Sequence, residues 1–218
     1  STPSNSSAAS DVYKRQITLD GEYKQGGFNG KVALDDPNGS IYLNGDVNVA
    51  SKVPTFNFLA VVNKVRPHDL NLTTKYPDAE CSLKLKANFT GGSVDEMIGE
   101  INVDSLEFTA PDKEYFMKNM NIRATKKNDE NQLKLTSEFL TADVEGKFQY
   151  HTLPASILNI MRKYIPSLIL PPKKEFETHN NFQFDIHIYN TDILSTIFDI
   201  PLTIYTHSTL KGYFNDPL

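Results

Sequence analysis

The sequence has no tryptophan and one cysteine, Cys81. A lone cysteine rules out an internal disulfide, so thiol content gives no reading of redox compartment. Cys81 falls in phase with Leu83, Leu85 and Phe89, which predicts a small buried hydrophobe rather than a reactive thiol. Long apolar runs are also missing. None reaches the ~18 residues of a membrane-spanning helix, and the N-terminus lacks the apolar core of a secretory signal. Positive charge is not in excess: the formal net charge is −5, which argues against nucleic acid as a partner. No glycine-rich phosphate loop opens a helix, and there is no Gly-x-Ser-x-Gly elbow. Acidic residues are spread along polar strand faces, with no pair singled out for glycoside cleavage. Among the histidines, His68, His151, His179, His187 and His207, one grouping is worth testing. Asp185 and His187 share a strand face, and His207 can face them from the last strand. As a metal or acid–base set, this grouping competes with ordinary polar positions on an outward sheet face. We therefore expect a protein that is not an enzyme and carries no cofactor or metal.

What the sequence does have is alternation. In Ile41-Tyr42-Leu43-Asn44-Gly45-Asp46-Val47-Asn48-Val49, the residues Ile41, Leu43, Val47 and Val49 point one way. The polar residues point the other, as in a half-buried strand. Gly45 stands on the apolar side where a large side chain belongs. The same phrase recurs as Leu19-Asp20-Gly21-Glu22, Phe28-Asn29-Gly30-Lys31, Val144-Glu145-Gly146-Lys147 and Leu210-Lys211-Gly212-Tyr213. Each glycine shares a face with apolar neighbours. A glycine inside a strand marks a bend, a bulge or a close approach, so five copies predict a sheet curved around its own apolar side.

Taken in order, residues 1–10 are rich in Ser, Thr, Ala, Asn and Pro and cannot pack. Asp11-Val12-Tyr13-Lys14-Arg15-Gln16 looks like one reading frame of a transposon mosaic-end adapter. We therefore expect 1–16 to be a non-native or disordered leader, and 17–218 to be an elongated β-rich segment of a larger protein. Strands are predicted near 17–24, 27–35, 40–50 and 53–64. The turn signals Gln25-Gly26-Gly27 and Asp35-Asp36-Pro37-Asn38-Gly39 make them an antiparallel meander. Arg66–Leu70 reads as a short helical turn or loop. Further strands fall near 81–90, 99–109, 114–126, 131–138 and 139–150, with one helical turn after 92 capped by Ser93. Thr152 can cap a helix that has Pro154 in its first turn and Pro166 as its stop. In it Ile157, Leu158, Met161, Tyr164 and Ile165 share one face, suited to packing over the end of a sheet or, alternatively, to touching lipid as an interfacial lid. Phe182, Phe184, Ile186 and Ile188 make a clean strand. A short amphipathic helix follows from Asn190 to Phe198, then a last strand near 202–214. Asn-x-Ser/Thr sites stand at Asn38, Asn71 and Asn88.

This long meander, with Asp/Asn-Gly phrases and short amphipathic helices, resembles the TamB proteins of the AsmA-like superfamily, Bacteroidetes-type members most closely. The likeness is carried by Phe28-Asn29-Gly30-Lys31-Val32-Ala33-Leu34-Asp35-Asp36-Pro37, Val103-Asp104-Ser105-Leu106, Asn180-Asn181-Phe182-Gln183-Phe184-Asp185, and Ser208-Thr209-Leu210-Lys211-Gly212-Tyr213-Phe214-Asn215-Asp216. The resemblance implies a mainly β fold, a long curved antiparallel meander shaped as a half-pipe or β-taco. It implies an internal segment of an anchored bridge in the periplasm of a Gram-negative envelope, with an outer-membrane partner. There the apolar sheet face would carry phospholipid acyl chains between membranes and serve outer-membrane assembly. The lining would then be Leu19, Gly21, Phe28, Gly30, Ile41, Leu43, Gly45, Val47, Val49, Val144, Gly146, Phe148, Phe182, Phe184, Ile186, Ile188, Leu210, Gly212 and Phe214. The competing readings are a filled β-sandwich scaffold or binding module without lipid transport, and a small closed barrel holding a soluble ligand. An outer-membrane barrel lacks its aromatic girdles here.

Overall fold

The computed structural model describes residues 16–36, 39–69, 77–164, 179–190 and 207–215. The described strands form one open antiparallel sheet of eleven, ordered as they occur in the chain. They are β1 (Gln16–Lys24), β2 (Gly27–Asp36), β3 (Gly39–Asn48), β4 (Thr55–Val65), β5 (Glu80–Thr90) and β6 (Ile98–Ala110), then β7 (Lys113–Lys127), β8 (Glu130–Thr136), β9 (Leu140–Lys147), β10 (Asn181–Ile188) and β11 (Ser208–Asn215). One helix, α1 (Leu153–Tyr164), lies between β9 and β10. Residues 191–198 of the second expected helix, the glycosylation sites Asn38 and Asn71, residues 1–15 and the 165–170 end of the first helix lie outside the described residues.

Alternation within each strand becomes rows across the sheet. Glu22, Asn29, Asp46, Asn57, Asn88, Glu100, Arg123, Lys134, Asp143, Asp185 and Lys211 are successive cross-strand partners. All are polar. The flanking row on the other face runs Tyr23, Phe28, Val47, Phe56, Phe89, Gly99, Ala124, Leu133, Val144, Phe184 and Gly212, without a polar side chain. A one-residue slip anywhere would bring charge into an apolar row, so the pattern specifies the register strongly.

Turns and bulges shape this sheet. Gln25-Gly26 and Asn128-Asp129 join their hairpins with positive φ at both central residues, the type I′ geometry that suits strand twist. The pairing register shifts between Val62 and Val65, where Lys64 has φ +49° and its amide donates to Ser82 Oγ at 3.0 Å. A second shift places Asp104 as an extra residue beside Lys84 and Leu85. Each bulge bends its strand and increases local twist. The first also turns Val65 into the buried set.

The packed core lies at the C-terminal end. Val103, Met117, Phe139 and Ile188 form one buried cluster, and Val144, Phe148, Leu153 and Phe182 a second. Helix α1 contributes Leu153 to the second and packs Ile157 and Ile160 against it, as Phe184 and Phe214 do from the sheet. Its entry is held by a buried amide. Asn180 Nδ2 donates to Thr152 Oγ1 at 2.9 Å and to Ser156 Oγ at 2.8 Å, while Asn180 Oδ1 accepts the Gln149 amide at 3.0 Å. The Thr152 hydroxyl also donates back to the Gln149 carbonyl at 3.2 Å. Ser93 makes no side-chain cap before the short 3-10 turn Val94–Glu96. Instead the Glu96 carboxylate accepts the Gly92 amide at 3.3 Å. Asp95 from this turn reaches the start of α1, with its carboxylate 2.6 Å from His151 Nδ1 and 3.1 Å from the His151 amide.

Candidate functional site

Apart from Val49, which lies beyond the end of β3, the expected lining residues share one face, but they divide into two environments. At the C-terminal end Val144, Phe148, Phe182 and Ile188 are buried, and Phe184, Ile186 and Phe214 are packed against them. Phe182 is 1% exposed, and its ring centroid lies 5.2 Å from Phe214 and 5.8 Å from Phe148. There α1 already occupies the space over the sheet. Leu210, at the β11 edge, is exposed.

At the N-terminal end the face is open. Register aligns Leu19, Val32, Leu43, Ala60, Leu85 and Val103 in one row. Ala60 is 5% exposed, Leu43 36% and Leu19, in the edge strand, 67%, with Val32 between the last two half-buried. Ile17 and Tyr23 are exposed as well, while Phe28, Ile41 and Val47 are half-buried. Val49 does not join them. It lies beyond the end of β3, where Asn48 Oδ1 accepts the Ala50 and Ser51 amides, each at 3.1 Å, and turns the chain. Its own amide donates to Gly26.

The glycines are not vacant notches. Gly21, Gly30 and Gly45 are direct cross-strand partners, and Phe58 follows them in the same row. A Cβ on Gly45 would lie 2.6 Å from the Phe58 Cα and closer still to the Asn57 carbonyl oxygen. With φ +154°, this backbone lets β3 and β4 approach where a side chain would hold them apart. Gly146 repeats the arrangement, at φ +147° and 2.7 Å from the Phe182 Cα. Over Gly212 lies the ring of Phe184, its Cζ 2.8 Å from where a Cβ would stand. Gly99, opposite Phe89, belongs to the same pattern but was not singled out, because Ile98-Gly99-Glu100 lacks the polar residue of the repeated phrase. Neither was Asn180, whose partners are a helix and a turn that no local spacing links to it.

The polar face is tied by cross-strand pairs. Lys211 Nζ lies 2.8 Å from Asp185 Oδ2, and His187 Nε2 lies 3.2 Å from Asp185 Oδ1. The hydrogen bond from Lys211 holds the Asp185 carboxyl below its ordinary range, with the charges of Lys211 and His187 adding to it. Hydrogen bonds from Asn121 and Asn102 do the same for Glu100, with Arg123 contributing less. His207 does not complete the expected set, as it packs against Tyr189 at a 6.3 Å ring separation. Among the described residues, no three His, Cys, Asp or Glu side chains group to hold a metal. Cys81 is half-buried, and desolvation pushes its thiol up. Tyr150 shows the same effect, its buried hydroxyl pushed up by desolvation first and by Asp95 second.

No helix among the described residues is long and apolar enough to cross a membrane. Compared with protein families, curated proteins and solved structures, the chain matches none.

Proposed function

We propose that this chain is a lipid-carrying segment of a TamB-like bridge, working in a Gram-negative periplasm without catalysis. Its open apolar face takes phospholipid acyl chains on their way between membranes. The observation that supports this reading is the uncovered apolar surface of β1–β3, continuous in register with the packed rows farther along the sheet. The three strands β1–β3 at about 4.8 Å spacing, each about 30 Å long, make an apolar patch on the order of 15 Å across. Each methylene kept from water on it is worth about 0.8 kcal/mol, so an acyl chain has reason to remain there. The scaffold reading needs a second sheet over this face, and the described strands all belong to one sheet.

The test is lipid extraction after purification without detergent. We expect phospholipid to co-purify and to be lost from the Leu19→Asp, Leu43→Asp double variant, which alters exposed side chains and leaves the packed core intact. Lipid-free wild-type protein, or lipid retained by the double variant, overturns the proposal.

A further inference from the structure

A hollow of about 410 Å³ lies at the ends of β2–β5, and its lining includes Asp36, Ser40, Lys64, Arg66, Glu80 and Ser82. That volume is in the range of small-ligand sites. A bulge shapes it. Where the β4 register shifts after Val62, Lys64 is held at φ +49° and gives its amide to Ser82 Oγ at 3.0 Å. A lysine is strained in this left-handed region, and bulges and strained backbone gather beside binding sites, where they re-aim a side chain. Ser40 and Asn63 pair across the strands immediately beyond Ile41 and Val62 of the apolar face. The hollow therefore stands where that face ends.

Its donors suit a phosphate. Ser82 Oγ accepts the Lys64 amide, and Ser40 Oγ accepts Asn63 Nδ2 at 3.0 Å, so each hydroxyl keeps its own proton to donate. Lys64 has no carboxylate partner among the described residues. The Arg66 guanidinium lies 3.7 Å from Glu80 Oε1, too far for a hydrogen bond, so its N–H donors are not committed there. Lysine, arginine and hydroxyl donors together are the groups that hold phosphate oxygens. Asp36 and Glu80 bring negative charge to the same lining. A bare anion meets repulsion from them, whereas an ammonium group meets attraction.

We propose that this hollow binds a phosphate ester that also carries an ammonium group. Lys64, Arg66, Ser40 and Ser82 take the phosphate, and Asp36 and Glu80 take the ammonium. A phospholipid headgroup and its soluble glycerol ester share this chemistry. The choice of the lipid as source rests on the carrying function proposed above, with the acyl chains on the apolar face beside Ile41. The site itself does not rest on it.

The probes are glycerophosphoethanolamine, inorganic phosphate, and dihexanoyl phosphatidylethanolamine kept below its micelle concentration. Each is titrated into delipidated protein and read by amide NMR shifts. Glycerophosphoethanolamine should shift the Ser40, Lys64 and Ser82 amides and bind about tenfold more tightly than phosphate. Lys64→Gln should weaken it about tenfold. Lys64→Gly, which relieves the left-handed strain, should weaken it equally without lowering the urea midpoint, so that lost binding is not lost folding. Equal binding of inorganic phosphate marks an adventitious ion only and overturns the proposal. So does an unchanged affinity in Lys64→Gln, or no shift at these amides. The short-chain lipid separates the sources. Binding tighter than that of the soluble ester, with added shifts in β2 and β3, identifies the lipid headgroup as the ligand. Binding no tighter overturns the lipid source and leaves the soluble ester as the ligand. Lipid carriage is read separately, from co-purification and the Leu19→Asp, Leu43→Asp variant, so either can fail alone.

Discussion

Replacing Gly45 with alanine adds one methyl group to a half-buried position, a change that looks small from composition alone. The structure makes it large. The new Cβ would lie 2.6 Å from the Phe58 Cα, with the Asn57 carbonyl nearer still, and neither atom is the free end of a side chain that can swing away. The backbone at φ +154° adds about 1–3 kcal/mol of strain for a residue with a side chain. Moving β4 away weakens the ladder bonds on either side, at about 1 kcal/mol each. Together these give a loss of about 3–5 kcal/mol. Gly27 is the matched control. It lies in the next strand, lacks the positive φ, and its added Cβ would meet nothing closer than 3.4 Å, so Gly27→Ala should cost under about 1 kcal/mol. Urea unfolding gives the stability difference, and amide exchange locates it: β3 and β4 should lose protection in Gly45→Ala while β9 and β10 keep theirs. Equal stability of the two variants would refute the close-approach argument. A bulky residue at Gly45 or Gly146 is thus a poor tool for blocking the apolar face, because it disrupts strand pairing before it obstructs a ligand.

Asn180→Ala leaves the Gln149 amide and two hydroxyls without their buried partner, and should cost about 2–4 kcal/mol by urea unfolding, with protection lost first in α1. Asn180→Leu should not restore it, since the orphaned amide remains. The Asp185 carboxyl, held low mainly by Lys211, should titrate nearer its ordinary value in Lys211→Gln, as read by carboxyl NMR shifts. Because its folded pKa is depressed, its contribution to stability is present above the unfolded pKa of about 3.9 and is lost as pH falls through the folded value. An unmoved titration in Lys211→Gln would refute the assignment. Cys81, its thiol pushed up by burial, should react with iodoacetamide about tenfold more slowly in the native chain than in urea at the same pH. Equal rates would mean that the thiol is not desolvated.

Most strands were legible because the period-two pattern is uninterrupted between turn signals. Expected boundaries near 27–35, 81–90 and 114–126 fall within about a residue of Gly27–Asp36, Glu80–Thr90 and Lys113–Lys127. Val49 shows the limit of that signal. Its alternation continues past the point where the side chain of Asn48 captures two amides and ends the strand. Register was less accessible. That Gly21, Gly30 and Gly45 are neighbours depends on exact loop lengths, and bulges at Lys64 and Asp104 reset the pairing farther along. The candidate face was therefore identified as a set, but its division into open and filled parts was not. That division depends on where α1 lies, and the Asn180 bonds that seat its first turn join residues 24 to 31 positions apart.

The same division has an energetic consequence. In this meander each strand pairs with the strands next to it in sequence, so stability is approximately a sum of nearest-neighbour terms, as in repeat proteins. Those terms are unequal. β9 and β10 have ladder bonds, a buried phenylalanine cluster and a helix over one face, whereas β1 has ladder bonds and apolar side chains turned to water, and those of β2 are only half-buried. Local opening should therefore start at the β1 end. Anything that covers Leu19 and Leu43 adds its binding free energy where the sheet has least of its own. An apolar ligand would thus be felt first as protection of β1–β3. The open end of the sheet is consequently both its least stable part and the part best suited to respond to a partner.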